Sequence, residues 1–222
     1  MFLKEGELLA ESYFTVKNPG CAEIVEKKSR FIATVRPVSS ETEAVAFINE
    51  IKQKYWDARH NVYAYILREN NIQRYTDGGE PAGTAGVPVL DMLKKEGLTD
   101  IAVVVTRYFG GILLGTGGLV HAYSKSAREG VISAEKVEMV LCSGMEIDMD
   151  YTLHGKILNE LSDWDIVMGE TVFTDRVKIP LYIRSSQWES LQDRLIDITN
   201  GKVEVNKTEE KFIGLKCDML EA

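Results

Sequence analysis

Apolar residues recur along the chain with two spacings, and these separate predicted strands from predicted helices. In the first part of the chain, apolar runs predict strands over 22–26, 30–38, 62–67, 72–75 and 101–106. Helical spacing predicts helices over 44–55, 87–96 and 119–134, the first of them after the capping box Ser40-Glu41-Thr42-Glu43. Residues 101–106 are apolar on both faces, which favours a central strand.

The second part of the chain follows the order strand, helix, strand, strand, helix, strand. Strands are predicted over 145–149, 166–173, 177–183 and 202–205, and helices over 153–164 and 188–198. This βαββαβ order is typical of ferredoxin-like domains. We therefore expect an α+β protein with two domains, 1–137 and 138–222.

In that order, the first and third strands of the second domain are antiparallel neighbours. Their outward positions hold opposite charges, with carboxylates on the first strand and basic groups on the third: Glu146, Asp148, Asp150, Arg176 and Lys178. A row of carboxylates could indicate a metal site, but no other element supplies converging ligands. Cross-strand ion pairing is the simpler explanation, and we expect no metal.

Composition is ordinary for a globular protein, but the charge is unevenly placed. The 222 residues include 26 basic and 34 acidic ones, which gives a net charge of −8 and a pI near 5.1. Residues 1–137 carry 17 of each sign, whereas residues 138–222 carry 9 basic and 17 acidic ones. This excludes a protein that coats nucleic acid by bulk charge, but not a local basic contact in the first domain.

Cysteine usage and hydrophobicity predict a cytoplasmic protein. Cys21, Cys142 and Cys217 form an odd, widely spaced set without a CxxC pair, so we expect reduced thiols. The longest aliphatic run, 101–105, is far shorter than the roughly 20 residues of a membrane-spanning helix. The first residues are acidic where a signal peptide would be basic.

Ten of the 18 glycines lie between Gly78 and Gly118, which directs the search for functional chemistry to that window. Motifs such as HExxH, the Walker sequence and GxSxG are absent. The segment 115–118 begins like a dinucleotide fingerprint, but Val120 stands at the last glycine position. We expect no cofactor.

The first glycine-rich loop, 77–88, holds Asp77, Glu80 and Thr84 just before a predicted helix. Its main-chain N–H groups could bind an anion at the helix start. The two carboxylates would oppose an anion, unless they cap those N–H groups themselves. The sequence leaves both alternatives open.

The second glycine-rich loop, 106–118, leads into the predicted helix at Leu119. Its N–H groups and the helix dipole make a candidate phosphate or carboxylate site. Arg107 could pair with a phosphate, with Asp77 or with Glu80.

Aromatic and basic side chains follow in and after this loop. Tyr108 and Phe109 could stack on a base. His121, Lys125 and Arg128 lie at helical positions i, i+4 and i+7, on one face. This stripe is either a solvated helix face or a weak contact for RNA or another anion.

Two segments at this separation, 77–86 (DGGEPAGTAG) and 106–115 (TRYFGGILLG), closely resemble the YigZ/IMPACT family. The resemblance covers about residues 17–130, and the segment from about 140 is similar to the smaller domain that bacterial members add. His121 departs from the family pattern, in which we expect an arginine. Positive charge at that helix start is therefore pH-dependent.

The resemblance implies a fold and a function. The first domain would have the α/β fold of the second domain of a small-subunit ribosomal protein (the S-five domain-2-like fold), also found in GHMP kinases. The second would resemble a domain of elongation factor G. Eukaryotic relatives are linked to translational control through a kinase pathway, using an additional domain not found in this sequence. The family supplies no settled enzymatic activity, and no metal-ligand set here supports a peptidase.

Three hypotheses follow. The leading one is a translation-associated regulatory or binding protein that contacts RNA, the ribosome or a translation partner. The second is an enzyme for a small phosphorylated or nucleotide substrate, with His60, Asp77 or Glu80 as acid or base. The third is a scaffold whose glycines serve tight packing, with His60 structural. No catalytic residue is assigned. The candidate binding residues are His60, Asp77, Glu80, Thr84, Arg107, Tyr108, Phe109, Gly110, Gly111, Gly115, Gly118, Lys125 and Arg128.

Overall fold

The computed structural model describes residues 12–216, which form eleven strands, five α-helices and two short 3₁₀ helices. The strands are β1 (Ser12–Val16), β2 (Gly20–Glu26), β3 (Ser29–Pro37), β4 (His60–Leu67), β5 (Ile72–Thr76), β6 (Ile101–Tyr108), β7 (Lys136–Met149), β8 (Ile166–Met168), β9 (Val172–Phe173), β10 (Val177–Arg184) and β11 (Glu204–Lys216). The helices are α1 (Glu41–Lys54), α2 (Gly86–Lys95), α3 (Gly115–Ser133), α4 (Tyr151–Leu161) and α5 (Trp188–Thr199). The first residues, considered above for a signal peptide, and Cys217 lie outside the described part. No helix within residues 12–216 has the length and apolar character needed to cross a membrane.

The chain has an α+β, two-domain architecture. The described residues form two compact units: an N-terminal one over 13–138, to which 214–216 also belong, and a C-terminal one over 139–213, to which residue 12 also belongs. The N-terminal unit is built on a five-stranded sheet in the order β2-β3-β6-β4-β5, and every pair of neighbours in it is antiparallel.

The central strand β6 is buried on both faces, as its apolar sequence predicts. Val103 and Val105 contribute to the core that α2 and α3 cover, whereas Ala102 and Val104 contribute to the core under α1. Successive side chains of a strand point to opposite faces of the sheet, so β6 contributes residues to two hydrophobic cores.

The start of α1 confirms half of the predicted capping box. The Ser40 hydroxyl accepts a hydrogen bond from the main-chain N–H of Glu43, at 3.3 Å. The Glu43 carboxylate, however, reaches one residue further back and accepts from the N–H of Ser39, at 2.7 Å. That bond lowers the pKa of Glu43 because it favours the ionised form.

The second glycine-rich loop is shorter than predicted. Arg107 and Tyr108 continue the ladder of β6, paired with Phe31 and Arg30 of β3. Helix α3 already begins at Gly115, four residues before the predicted start. The sequence does not predict this first turn, because its glycines have low helix propensity. In the structure, the buried Leu114, just before the helix, holds the turn against the core.

The C-terminal unit has the predicted βαββαβ order. Strand β7 is central, with β11 and β10 as neighbours, and β8 and β9 pair with β10. The predicted strand 166–173 is broken into β8 and β9 at residues 169–171. The predicted cross-strand pairing is confirmed, since Arg176 and Lys178 contact Asp148 and Lys178 Nζ lies 3.3 Å from Glu146. The bond from Arg176 lowers the pKa of Asp148.

The packing of α3 on the sheet leads to a first prediction. A Cβ added at Gly130 would lie 2.9 Å from both Ala33 Cβ and Val35 Cγ2, whereas one at Gly117 would meet nothing within 4 Å. Both changes to Ala raise helix propensity, but only Gly130→Ala overpacks the core. We expect Gly130→Ala to be less stable than Gly117→Ala by about 1–3 kcal/mol in urea unfolding. Equal stabilities of the two variants would contradict the close packing of α3 on β3.

Candidate functional site

Both glycine-rich loops lie at one end of the N-terminal sheet. His60 at the start of β4 pairs with Arg107 near the end of β6. Strand β5 pairs with β4 up to Thr76, so the first loop, 77–85, leaves the sheet at the same end. The second loop, 109–114, leaves β6 there as well. The strand ladders alone therefore gather the predicted site residues.

Asp77 occupies the start of α2. Its carboxylate accepts hydrogen bonds from three main-chain N–H groups, those of Gly83 at 2.9 Å, Ala85 at 3.1 Å and Gly86 at 2.8 Å. Of the two alternatives for the first loop, self-capping is the one present. Two of the N–H groups that an external anion would use at this helix start, those of Ala85 and Gly86, are thus already bonded.

Glu80 is the centre of a buried polar cluster. Its Oε1 accepts hydrogen bonds from Arg107 Nη1 at 2.6 Å and from the Tyr123 hydroxyl at 2.8 Å. Only 4% of the Glu80 side chain and 6% of the Arg107 side chain are exposed. Burial, together with the Glu80 carboxylate, raises the pKa of the Tyr123 phenol, which therefore stays protonated and donates.

Arg107 is held on its other sides as well. Its Nη2 donates to the Ser29 hydroxyl at 3.3 Å, and the same hydroxyl accepts from the N–H of Gly110 at 3.2 Å. The guanidinium lies 5.3 Å from the ring centroid of Phe31 and 5.6 Å from that of Phe109. Among the three partners considered for Arg107, the structure selects Glu80. The prediction that Arg107 binds a phosphate at the surface is wrong, because its side chain is enclosed within the protein.

His60 converges on the same carboxylate. Its Nδ1 lies 3.0 Å from the carbonyl oxygen of Gly78, an arrangement that assigns the proton to Nδ1. Its Nε2 then faces Glu80 Oε1 at 3.9 Å and forms an ion pair only when the ring is protonated. The imidazole is 12% exposed, so it forms the outermost part of the cluster.

The convergence of His60, Glu80 and Arg107 is the arrangement that the enzyme hypothesis requires. The burial of Glu80, however, points to a structural role. A general acid or base must reach the proton it transfers. Glu80 Oε1 already accepts two hydrogen bonds inside the protein, and Asp77 is engaged as a helix cap. The cluster therefore serves as an internal brace between a loop, a strand and a helix.

Two further candidates have local partners. The Thr84 hydroxyl is buried and donates to the carbonyl of Pro81 at 2.7 Å, which closes a turn of the first loop. The Tyr108 hydroxyl donates to Asp57 at 2.8 Å. These bonds indicate that Thr84 and Tyr108 support the structure of the loops. The Arg30 guanidinium lies 5.5 Å from the ring centroid of Tyr108, so a base stacked on Tyr108 would have to compete with it.

Of the three residues in the predicted basic stripe on α3, only the first two lack an ion-pair partner among the described residues. His121 and Lys125 are exposed, and neither has an ion-pair partner among residues 12–216. Arg128 is exposed but pairs with Glu96, at 3.4 Å. A solvated helix face is the better description for Arg128.

The candidate glycines differ in the reason for which each position favours glycine. Gly110 is forced by close approach, since a Cβ there would lie 2.0 Å from the carbonyl carbon of Lys28. Gly111 and Gly115 have positive φ and open space around them, and Gly118 lies in the first turn of α3 near Leu114. The packing role that one hypothesis gave to the glycines therefore holds for Gly110.

The close approach at Gly110 joins two exposed turns into one surface, which sequence reasoning did not identify. We call it the loop-end surface and define it by Lys27, Lys28, Phe109, Ile112 and Leu113. Its apolar members are exposed by 48% (Phe109), 42% (Ile112) and 83% (Leu113). Both lysines are exposed at the β2–β3 turn and have no ion-pair partner within the described chain. In the sequence, the two adjacent lysines of a hairpin turn were the available signal. Their position beside the second loop follows only from the pairing of β3 with β6.

Comparisons with known proteins agree with the motifs. The Impact N-terminal domain model matches residues 27–131, and a model named domain of unknown function (DUF1949) matches residues 147–202. The chain is 44% identical over 206 residues to the IMPACT family member YvyE of Bacillus subtilis, a match covering 92% of this chain and 95% of the relative. It is 45% identical over 100 residues to the IMPACT family member YigZ of Escherichia coli, covering 44% and 49%. A solved structure titled as that of a hypothetical protein matches with a TM-score of 0.57 and 29% identity, covering 91% of this chain and all of that one.

The capping role of Asp77 can be tested by substitution. Asp77→Ala leaves three N–H groups without their acceptor, and we expect a loss of about 1–2 kcal/mol in the free energy of unfolding. Asp77→Asn keeps an amide oxygen and should lose less. Asp91→Ala, an exposed change on the same helix, is the control. A loss with Asp91→Ala as large as that with Asp77→Ala would contradict the capping role.

The buried pair leads to a larger effect. Arg107→Met leaves Glu80 as an unpaired buried charge, and we expect a loss of about 3–5 kcal/mol in urea unfolding at neutral pH. Adding Glu80→Gln to that variant should restore much of the loss, because the orphaned charge is then gone. Arg30→Met breaks the exposed pair with Glu23 and should cost only about 0–1 kcal/mol. A small effect of Arg107→Met, or no rescue by the second change, would show that the pair is not a brace.

Proposed function

This chain belongs to the IMPACT family, and we propose that it is a cytoplasmic, translation-associated binding protein that contacts RNA or the ribosome. The N-terminal unit makes the contact through its loop-end surface. The observation that carries the proposal is the position of two lysines without ion-pair partners next to a loop that exposes apolar and aromatic side chains, at one end of the sheet. Phosphates are bound by such cations, and unstacked bases by such rings.

The connection between α1 and β4 supports the same surface. Trp56 is 82% exposed there, and Arg59 is exposed without an ion-pair partner among the described residues. The bond between Asp57 and Tyr108 fixes this connection to the end of β6. Single-stranded RNA is typically bound by aromatic side chains interleaved with cations, and this end of the unit offers both.

The charge distribution supports a local contact. The first 137 residues carry equal numbers of acidic and basic groups, so the local potential depends on which charges are left unpaired, and at the β2–β3 turn two lysines stand beside one acidic residue, Glu26. Arg107 and Arg128 contribute little, because each already faces a carboxylate. Lys125 remains available for a contact with phosphate, because it is exposed on a different face of α3 from Tyr123, the helix residue of the buried cluster.

The test uses the full chain and purified ribosomes. Lys27→Gln with Lys28→Gln should weaken co-sedimentation and flatten the salt dependence of log K by about 1.4, at roughly 0.7 for each lost contact with single-stranded RNA. Lys94→Gln with Lys95→Gln, two exposed lysines of α2, changes the net charge equally and should leave binding unchanged. Equal binding of both double variants and the parent protein would remove the loop-end surface from the proposal.

A further inference from the structure

Strands β8 and β9 form an edge of the C-terminal sheet and carry exposed apolar side chains. Within the described chain, both pair only with β10. The exposed side chains at this edge are Tyr151 (52%), Val167 (41%), Met168 (44%), Val172 (48%) and Phe173 (57%). We call this set the edge strip. An exposed apolar edge of this kind is usually blunted or covered, because it invites association.

Two members of the edge strip, Met168 and Phe173, adjoin the core, whereas Val167 and Val172 lie opposite Tyr182 and Lys178 on the other face of the sheet. Met168 and Phe173 lie opposite Leu181 and Val177, whose side chains are buried on the inner face of β10. The Tyr151 ring stacks on Phe173 with centroids 6.3 Å apart, and the Tyr151 hydroxyl donates to the carbonyl of Thr174 at 2.6 Å. The apolar surface is therefore ordered before any partner arrives, which lowers the entropy cost of binding.

The main chain of β8 has an open side. The N–H of Gly169 donates to the carbonyl of Pro180 at 2.7 Å, so Gly169 is a hydrogen-bonded position of the ladder. In an antiparallel pair these positions alternate, and the N–H and C=O groups of Ile166 and Met168 consequently point away from β10. The break at 169–171 limits the open stretch to a few residues.

The charges around the edge strip favour one kind of occupant. Asp163, Glu170 and Asp175 have no ion-pair partner in the described residues, whereas Arg176 and Arg184 are paired with Asp148 and Asp165. The unpaired charges of these segments are therefore acidic, the His154 ring packs edge-on against Phe173 with centroids 5.5 Å apart, and the whole segment 138–222 carries 9 basic and 17 acidic residues. A second copy would bring like charges together.

We propose that the edge strip docks a short, extended and basic segment of a partner protein. The segment pairs its main chain with the open side of β8 and places apolar side chains against Met168 and Phe173. Its lysines or arginines lie near Glu170 and Asp175. Addition of a strand to a free sheet edge is an established mode of peptide recognition, in which main-chain bonds give affinity and alternate side chains give specificity. The proposal does not depend on RNA or ribosome binding by the N-terminal unit.

The test titrates isotope-labelled full-length chain with two nine-residue peptides. In one peptide lysine alternates with valine, and in the other glutamate replaces every lysine. We expect the basic peptide to shift amide resonances over 166–175 and to bind more weakly as salt is added. The acidic peptide should bind at least tenfold more weakly.

Two variants keep the test specific. Phe173→Glu places a carboxylate in the edge strip and should weaken binding of the basic peptide at least tenfold, even though it adds favourable charge. Ile196→Glu makes the same change at a 41% exposed position of α5 and should leave binding within twofold. Unchanged thermal unfolding of both variants excludes a folding defect.

Several outcomes overturn the proposal. They are no shifts over 166–175 at millimolar peptide, equal binding of the two peptides, or equal binding by Phe173→Glu and the parent chain. Self-association of the parent chain that Phe173→Glu abolishes would make a second copy the occupant. Sedimentation of the free chain at several concentrations reveals that case.

Discussion

The buried pair of Glu80 and Arg107 is the interaction on which the N-terminal unit depends. Two charges removed from water are tolerated only when their geometry is good and most of their remaining hydrogen-bonding capacity is used. Here the carboxylate also accepts from Tyr123 and the guanidinium also donates to Ser29, while Arg107 Nε is buried without a hydrogen-bond partner among the described residues. Because these groups come from the first loop, from β6, from α3 and from the start of β3, one cluster fixes all four. The first loop is thus held from inside, and the Glu80 carboxylate is withdrawn from solvent.

Periodic segments were predictable from the sequence because local patterning and tertiary burial agree in them. Strand β6 is apolar on both faces and is central, and the start of α1 follows from Ser40 and Glu43. The start of α3 was not predictable. The glycines of its first turn have low helix propensity, and only the tertiary position of Leu114 reveals the turn.

The candidate site was predictable as a set of residues but not as a set of contacts. Three partners for Arg107 were chemically equivalent, and the choice of Glu80 depends on where the ladder of β6 ends. The same ladder enclosed Arg107, which the sequence had offered as a surface cation. It also brought Lys28 against Gly110, a contact between residues 82 positions apart that no local pattern contains. Long-range pairing decides such contacts, and single-sequence patterns record only short-range spacing.

The two proposed surfaces share one physical device and differ in charge. In each, exposed apolar side chains are held out by ordered neighbours: Leu114 is buried directly after Leu113, and Tyr151 stacks on Phe173. Apolar groups that are fixed in the open gain more on binding than flexible ones, because less conformational entropy is lost. The unpaired charges beside them are basic at Lys27 and Lys28 but acidic at Glu170 and Asp175, which is why we propose partners of opposite charge for the two surfaces. The whole-chain charge of −8 describes neither surface, since the charges that a partner meets are those left unpaired beside the apolar groups.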